Sequence, residues 1–249
     1  MTKNIFITGG TSGIGKSLIY KFAENKCNIF FTYNSNLNEA QSISKNLKKH
    51  NILHNYAKMD LSRPETINNA FKKFSKQFRR LNIFINNASI KMQRKEFLKL
   101  KNIEISKNIK GLLIGNIISL KKALELSLKK SSSNQSIIIN ISSYASISGG
   151  KNIHLYASSK SALNTLTTAL SKDSFKKKIK FFSIVPRYID TPSFRKNNNI
   201  KNNRDLILFK KRNKIKRIKK PKEFANFVYN KFIRNINTKY NPIIHYDSF

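Results

Sequence analysis

Only 8 glycines occur in these 249 residues, and four of them crowd into one turn: Gly9, Gly10, Gly13 and Gly15. Lys, Asn, Ile and Phe are abundant in this chain while Gly and Pro are scarce, as drift in an A/T-rich genome produces. A composition that has shed glycine nearly everywhere keeps four together where backbone freedom matters. The turn reads "TGGTSGIG". Before it stands the short apolar run Ile5–Ile7, read as a buried strand; after it Ile14, Leu18, Ile19 and Phe22 recur at helical spacing. A strand, a glycine-rich turn and a helix in this order are where a doubly wound sheet receives a nucleotide. Glycine lets the backbone approach the phosphates, and the helix N-terminus favours their charge.

The rest of the chain keeps the same rhythm. "NIFFTY", Tyr56 to Met59, "NIFIN", "SIIINIS", "KFFSIV" and "NPIIHY" read as further strands. Helical patterns separate them: one running through Lys49, then Pro64 to Phe78, a long helix from Ile103 to Lys129, "YASSKSALNTLTTAL", and a last one around Glu223 to Phe232. This alternation predicts an α/β fold, a single-domain Rossmann-type doubly wound parallel sheet with helices on both faces, spanning 1–249. Residues 195–222 break the rhythm with 13 basic residues against one acid, Asp205. A plain solvated loop is the first reading of that segment, a lid over a pocket the second, and a docking surface a third.

Bulk properties bound the function class. The single cysteine, Cys27, excludes an internal disulfide and fits a reducing compartment. The N-terminal apolar run is too short for a signal peptide, and no stretch is long enough to span a bilayer, so a soluble cytoplasmic protein is expected. The formal charge of +37 suggests a polyanion partner. The lysines are dispersed from end to end, however, which favours compositional drift over nucleic-acid binding. His50, His54, His154 and His245 show no ligand spacing, so no metal is assigned.

Tyr156 precedes Lys160 by four residues, which puts both on one face of a helix. With 9 Tyr and 49 basic residues such a pair arises by chance, so its meaning depends on its company. That company is "TGGTSGIG" at 8–15, "MDLS" at 59–62, "NNAS" at 86–89, Asn108 in "KNIKG", "ISS" at 141–143, "YASSK" at 156–160 and "VPRYIDTP" at 185–192. In order and spacing, over nearly the whole length, the chain resembles the short-chain dehydrogenases/reductases, and most closely in style the 3-oxoacyl-(acyl-carrier-protein) reductases.

The resemblance implies a catalytic tetrad of Asn108, Ser143, Tyr156 and Lys160, with the adjacent Ser142 an alternative set aside by the 13-residue spacing from serine to tyrosine. Tyr156 would exchange a proton with the substrate oxygen, Ser143 would hydrogen-bond it, and Asn108 would hold a water joining Lys160 to solvent. Lys160 and an oxidised nicotinamide would lower the Tyr156 pKa from its ordinary value near 10. For the cofactor it implies Gly9, Ser12, Gly13, Ile14 and Gly15 at the phosphates and ribose, Asp60 and Leu61 at the adenine, Asn87 at the ribose, and Ile189 and Thr191 at the nicotinamide amide, with Tyr156 and Lys160 also in contact. The second strand ends "FFTYNS" without an acid to accept from a ribose 2′-hydroxyl, while Asn34, Ser35 and Ser12 offer donors. NADP(H) is therefore expected over NAD(H), although the arginine often found in NADP-preferring members is missing.

Three positions depart from the family pattern: Ser89 and Arg187 stand where it has glycine, and the terminus "YDSF" replaces D-G-G. Arg187 follows Pro186, where a long side chain can crowd the nicotinamide or cap the pocket. The expected function is reduction of a carbonyl, free or on an acyl carrier protein, docked by basic surfaces such as Lys176 to Lys178 or the 195–222 segment. Another sugar, polyol or polyketide carbonyl is the first alternative, and a non-catalytic nucleotide or polyanion binder the second. The resemblance also implies a homotetramer packed through the helices after Asn108 and Tyr156.

Overall fold

The structure is a computed structural model that describes residues 2–91, 93–129, 135–173, 178–234 and 240–246. Seven parallel strands form one sheet in the order β3-β2-β1-β4-β5-β6-β7. These are β1 (Asn4–Ile7), β2 (Asn28–Tyr33), β3 (His54–Lys58), β4 (Ile83–Asn86), β5 (Ser136–Ile141), β6 (Ile179–Val185) and β7 (Ile243–His245). The helices are α1 (Gly13–Glu24), α2 (Leu37–Leu47), α3 (Pro64–Gln77), α4 (Asn102–Ile109), α5 (Gly115–Lys129), α6 (Ala145–Ser148), α7 (His154–Leu170), α8 (Pro192–Asn197), α9 (Asn203–Arg212) and α10 (Pro221–Tyr229). The expected doubly wound sheet is present.

Parallel strands covered on both sides are apolar on both sides, which is why they read as continuous apolar runs. Side chains still alternate between two cores. Phe6 pairs in register with Phe30 and with Phe84, Phe84 with Ile138, and Ile138 with Phe181, so a row of large side chains crosses five strands on one face. Helix α3 lays its own rings on that row: Phe71 and Phe74 lie 4.7 and 5.3 Å from Phe6, and Phe74 stacks on Phe78 at 4.8 Å. Such ring pairs contribute about 0.5–1.5 kcal/mol each beyond the area they bury. On the opposite face Ile5, Ile7, Ile29 and Phe31 pack under α1, α2 and α10.

Two differences from the sequence expectation have physical causes. The helix expected over Ile103–Lys129 is broken by a π-turn at Lys110–Ile114, leaving α4 and α5 as separate pieces. Widening the ladder by one residue shifts the register of the faces on either side. The segment 195–222 is not a plain loop but carries the second half of α8 and all of α9. The signals were present: Thr191 caps Phe194 N–H with Pro192 at the first helical position, and Asn202 and Asp205 form a reciprocal capping box.

Sheet topology fixes where a site forms. The chain runs from β1 outward to β3, then returns to β4 on the other side of β1, so the order reverses between β1 and β4. Ligands of open parallel sheets bind at this reversal, beyond the carboxyl ends of the strands.

Candidate active site

Two loops meet at that reversal, the glycine turn after β1 and "NNAS" after β4. Thr8 Oγ1 accepts from the N–H groups of Asn87 and Ala88 at 3.0 and 2.9 Å, and Asn87 Nδ2 donates to the Thr8 and Gly9 carbonyls at 2.9 and 3.1 Å. Each loop thus satisfies polar backbone of the other. Gly9 sits at φ +68°, and a Cβ on Gly15 would lie 2.2 Å from the Gly9 carbonyl oxygen. Only glycine permits that approach of helix α1 to the turn. The Ser12 side chain, at the N-cap of α1, makes no capping hydrogen bond, and the first turn of α1 contains no acid.

From this turn a cleft of about 890 Å³ runs along the strand ends to Tyr156. A dinucleotide fits these residues: the glycine turn exposes backbone for phosphates, and the α1 N-terminus offers unpaired N–H groups. Of the expected cofactor residues, Gly9, Ser12, Gly13, Ile14, Asn34 and Leu61 line it, as do Asn87, Tyr156, Lys160, Ile189 and Thr191. Gly15 and Asp60 do not. Gly15 is buried behind the turn, and the Asp60 carboxylate accepts the Ser62 N–H, folding back into the turn before α3. Thr11 and Tyr33 reach the cleft without having been singled out.

A buried polar chain seats helix α7 on the sheet. Asn86 Nδ2 donates to Asn140 Oδ1 at 3.0 Å, Asn140 Nδ2 to Thr167 Oγ1 at 2.9 Å, and Ser183 Oγ to Asn164 Oδ1 at 2.6 Å. These bonds lock the register of α7 against β5 and β6, and with it the placement of Tyr156 and Lys160. Lys160 is 4% exposed; its Nζ donates to the Ile141 carbonyl at 2.8 Å and lies 5.9 Å from the Tyr156 ring centroid. Burial lowers its pKa from 10.5 to about 8. Burial also raises the Tyr156 pKa, and a hydrogen bond with the Ser143 hydroxyl pulls against that rise. The lowering expected from Lys160 is not seen: the ammonium is turned to Ile141, so Tyr156 stays a phenol, the form that donates a proton.

Ser143 Oγ also accepts the Ala145 N–H at 3.2 Å, whereas the buried Ser142 hydroxyl has no partner among the described residues. The serine joined to Tyr156 is therefore Ser143. Asn108 stands apart from the cleft wall. Its Nδ2 donates to Gln93 Oε1 at 2.8 Å and to the Glu104 carbonyl at 2.7 Å, leaving Oδ1 to accept. Gln93 is oriented in turn by Glu104, whose carboxylate accepts from Gln93 and Lys95 at 2.8 and 2.7 Å. Hydrogen bonds from the Lys95 ammonium, the Lys101 backbone N–H and Gln93 hold the Glu104 pKa down at about 2. Asn108, His154 and Tyr156 share a cavity of about 10 Å³, close to the room one water needs. Sequence spacing had no means of finding Gln93 and Glu104, whose link to Asn108 exists only in the fold.

Lys196, Asn197, Asn198, Phe209 and Asn213 of the 195–222 segment also line the cleft. Phe209 of α9 packs against Tyr188 and Phe194 at 5.8 and 5.3 Å, and Arg94 bonds the Asn197 carbonyl and Asn198 Oδ1. The departures Ser89 and Arg187 both line the cleft; the "YDSF" terminus beyond Tyr246, and Lys176 and Lys177 of the basic surface, lie outside the described residues.

The profile of the short chain dehydrogenase family matches residues 3–202. This chain belongs to that family. As a short-chain dehydrogenase it is an NAD(P)-dependent oxidoreductase acting between an alcohol and a carbonyl. It is 28% identical over 204 residues to a 3-oxoacyl-(acyl-carrier-protein) reductase of Chlamydia trachomatis, a match covering 81% of this chain and 80% of the relative. Two solved structures show the same fold. A short chain dehydrogenase of Burkholderia cenocepacia in complex with NADP superimposes with a TM-score of 0.82 at 21% identity, covering 98% of this chain and 95% of that one. A 3-ketoacyl-(acyl-carrier-protein) reductase of Brucella melitensis complexed with NADH gives 0.81 at 17% identity, covering 98% and 96%. No helix among the described residues is long and apolar enough to cross a membrane.

Proposed function

We propose that this short-chain dehydrogenase reduces the 3-oxo group of an acyl chain, with NADPH as the preferred cofactor. The observation that carries the reading is the convergence of Ser143, Tyr156 and Lys160 on one wall of the cleft that opens at the glycine turn. A bound reduced nicotinamide supplies the hydride to the carbonyl carbon. Tyr156, held as a phenol by burial, gives its proton to the carbonyl oxygen as charge builds there. The Ser143 hydroxyl, already bonded to Tyr156, donates to the same oxygen and stabilises that charge. Lys160, with a pKa of about 8, is charged at neutral pH and steadies the phenolate that remains. Asn108, fixed by Gln93 and the Glu104 carbonyl, holds a water at its free Oδ1 and lets the proton be replaced from solvent.

The 2′-phosphate preference rests on Asn34 and Ser35, which line the adenosine end of the cleft with donors and no acid. Helices α8 and α9 serve as the lid, with Phe209 excluding water. Exposed Ile103, Ile114 and Ile117 on α4, α5 and the turn between them favour assembly through this face, and bound anions offset the repulsion between subunits of +37. The carrier reading follows the relative from Chlamydia trachomatis. Purified protein mixed with NADPH and acetoacetyl-coenzyme A is expected to consume the cofactor, faster than with NADH. Cofactor binding without consumption on any 3-oxo compound would overturn the reading.

A further inference from the structure

Six ion pairs join the described residues, and their cations are Lys16, Lys95, Lys99, Lys122, Arg195 and Arg217. None of these six lines the cleft. The cations that do line it beyond the catalytic Lys160 are Lys91, Arg94, Lys151, Arg187 and Lys196, and none of the five is paired with a carboxylate among the described residues. No Asp or Glu among the described residues lines the cleft either. A chain of charge +37 has basic surface everywhere, but composition does not dictate that its few acids neutralise only cations elsewhere. Asp190 illustrates the pattern: one residue after Ile189 in the cleft wall, it is bound at 2.6 and 2.8 Å to Arg195, which does not reach the cleft.

Arg187 stands between two rings beside the catalytic serine. Its guanidinium carbon stands 5.1 Å from the Tyr144 ring centroid and 5.6 Å from that of Tyr188. Tyr144 directly follows Ser143, and its N–H donates to the Pro186 carbonyl at 2.8 Å, so the Arg187 backbone is tied to the serine strand at the chemistry. Two aromatic rings flank the planar group, and its N–H edge has no hydrogen-bond partner among the described residues. Such a fork matches a carboxylate or a phosphate in two parallel hydrogen bonds.

We propose that Arg187 is a specificity-determining residue that binds an anionic oxygen group of the substrate, carboxylate or phosphate, while the carbonyl lies at Ser143 and Tyr156. The placement of the carbonyl rests on the reductase reading above. Lys91, Arg94, Lys151 and Lys196 supply a field that draws the anion in, and Arg187 supplies the directional contact. A small residue at position 187, as in the family pattern, would leave that group unbound.

The test compares three carriers of the same 3-oxobutanoyl group. Free acetoacetate bears a carboxylate beside the reacting chain, acetoacetyl-coenzyme A bears phosphates on its pantetheine arm, and S-acetoacetyl-N-acetylcysteamine is a neutral thioester. NADPH consumption is measured for each with the parent, Arg187→Lys and Arg187→Gly. At least one charged substrate is expected to exceed the neutral one in kcat/KM by tenfold or more, and Arg187→Gly to lower that ratio at least tenfold through KM. Arg187→Lys is expected to recover part of it. The substrate that responds identifies the anion as carboxylate or phosphate. A ratio that stays within twofold across the three proteins overturns the proposal even if all three turn over. Calorimetric binding of acetoacetate and of coenzyme A to the parent, Arg187→Gly and Tyr156→Phe separates the two readings. Binding that survives Tyr156→Phe and is lost in Arg187→Gly supports the anion site whether or not the chemistry proceeds, and binding equal in all three proteins counts against it.

Discussion

Lys160 Nζ lies 5.9 Å from the centre of the Tyr156 ring but spends its hydrogen bond on the Ile141 carbonyl, 2.8 Å away. The two groups therefore interact through space, each perturbed mainly by burial: the lysine downward to about 8, the tyrosine upward. That arrangement makes the pair pH-sensitive in a way that can be measured without substrate.

In the unfolded chain Lys160 keeps its proton up to its ordinary pKa of 10.5, but in the folded chain only to about 8. Between these values the unfolded state binds more protons, so this group makes stability rise with pH there. Below about pH 8 both states carry the proton and the cost of the buried charge is full, about 3 kcal/mol for a shift of this size. Lys160→Met is accordingly expected to be more stable than the parent at pH 7, with the difference shrinking as pH rises towards 10.5. Urea denaturation across that range checks it, and a difference independent of pH would contradict the assignment.

The contact between Thr8 and the "NNAS" loop is expected to matter for cofactor binding more than for packing. Thr8→Val keeps the shape but leaves the Ala88 N–H without its acceptor, while the Asn87 N–H retains the Ile85 carbonyl at 3.1 Å; a donor left unpaired costs about 1–3 kcal/mol. Stability should fall by an amount in that range, and NADPH affinity by tenfold or more, since the glycine turn loses its anchor. Calorimetric denaturation and cofactor titration on one sample read both.

Asn34→Asp places a carboxylate where the second strand meets the cleft. It is expected to accept from a ribose 2′-hydroxyl and repel a 2′-phosphate, lowering the NADPH-to-NADH ratio of kcat/KM by at least tenfold. Unchanged preference would move the 2′-phosphate contact away from Asn34.

How much of this was legible in the sequence depended on how local each feature is. Strands buried on both faces write themselves as apolar runs, and the glycine turn stands out because glycine is otherwise rare, so the sheet and the nucleotide end of the cleft could be read directly. Tyr156 and Lys160 share helical spacing, but their meaning came only from the ordered motifs around them, from "TGGTSGIG" to "VPRYIDTP". The π-turn at Lys110–Ile114 left no mark, since its residues continue an apolar helical pattern. Helix α9 was obscured because Ile207 and Leu208 face solvent in an Asn- and Lys-rich segment, although "NNRD" carries its capping box. The Gln93–Glu104 support of Asn108 joins residues whose nearness is decided by the fold alone.

The most direct test is Tyr156→Phe, which removes one hydroxyl and keeps the ring. Turnover of a 3-oxo substrate and NADPH affinity are measured on the same preparation. Turnover is expected to fall at least 100-fold, the scale of a lost general acid, while the cofactor dissociation constant changes by less than about twofold. A variant that retains the parent's turnover would contradict the placement of the proton on Tyr156 and with it the proposed chemistry of the site.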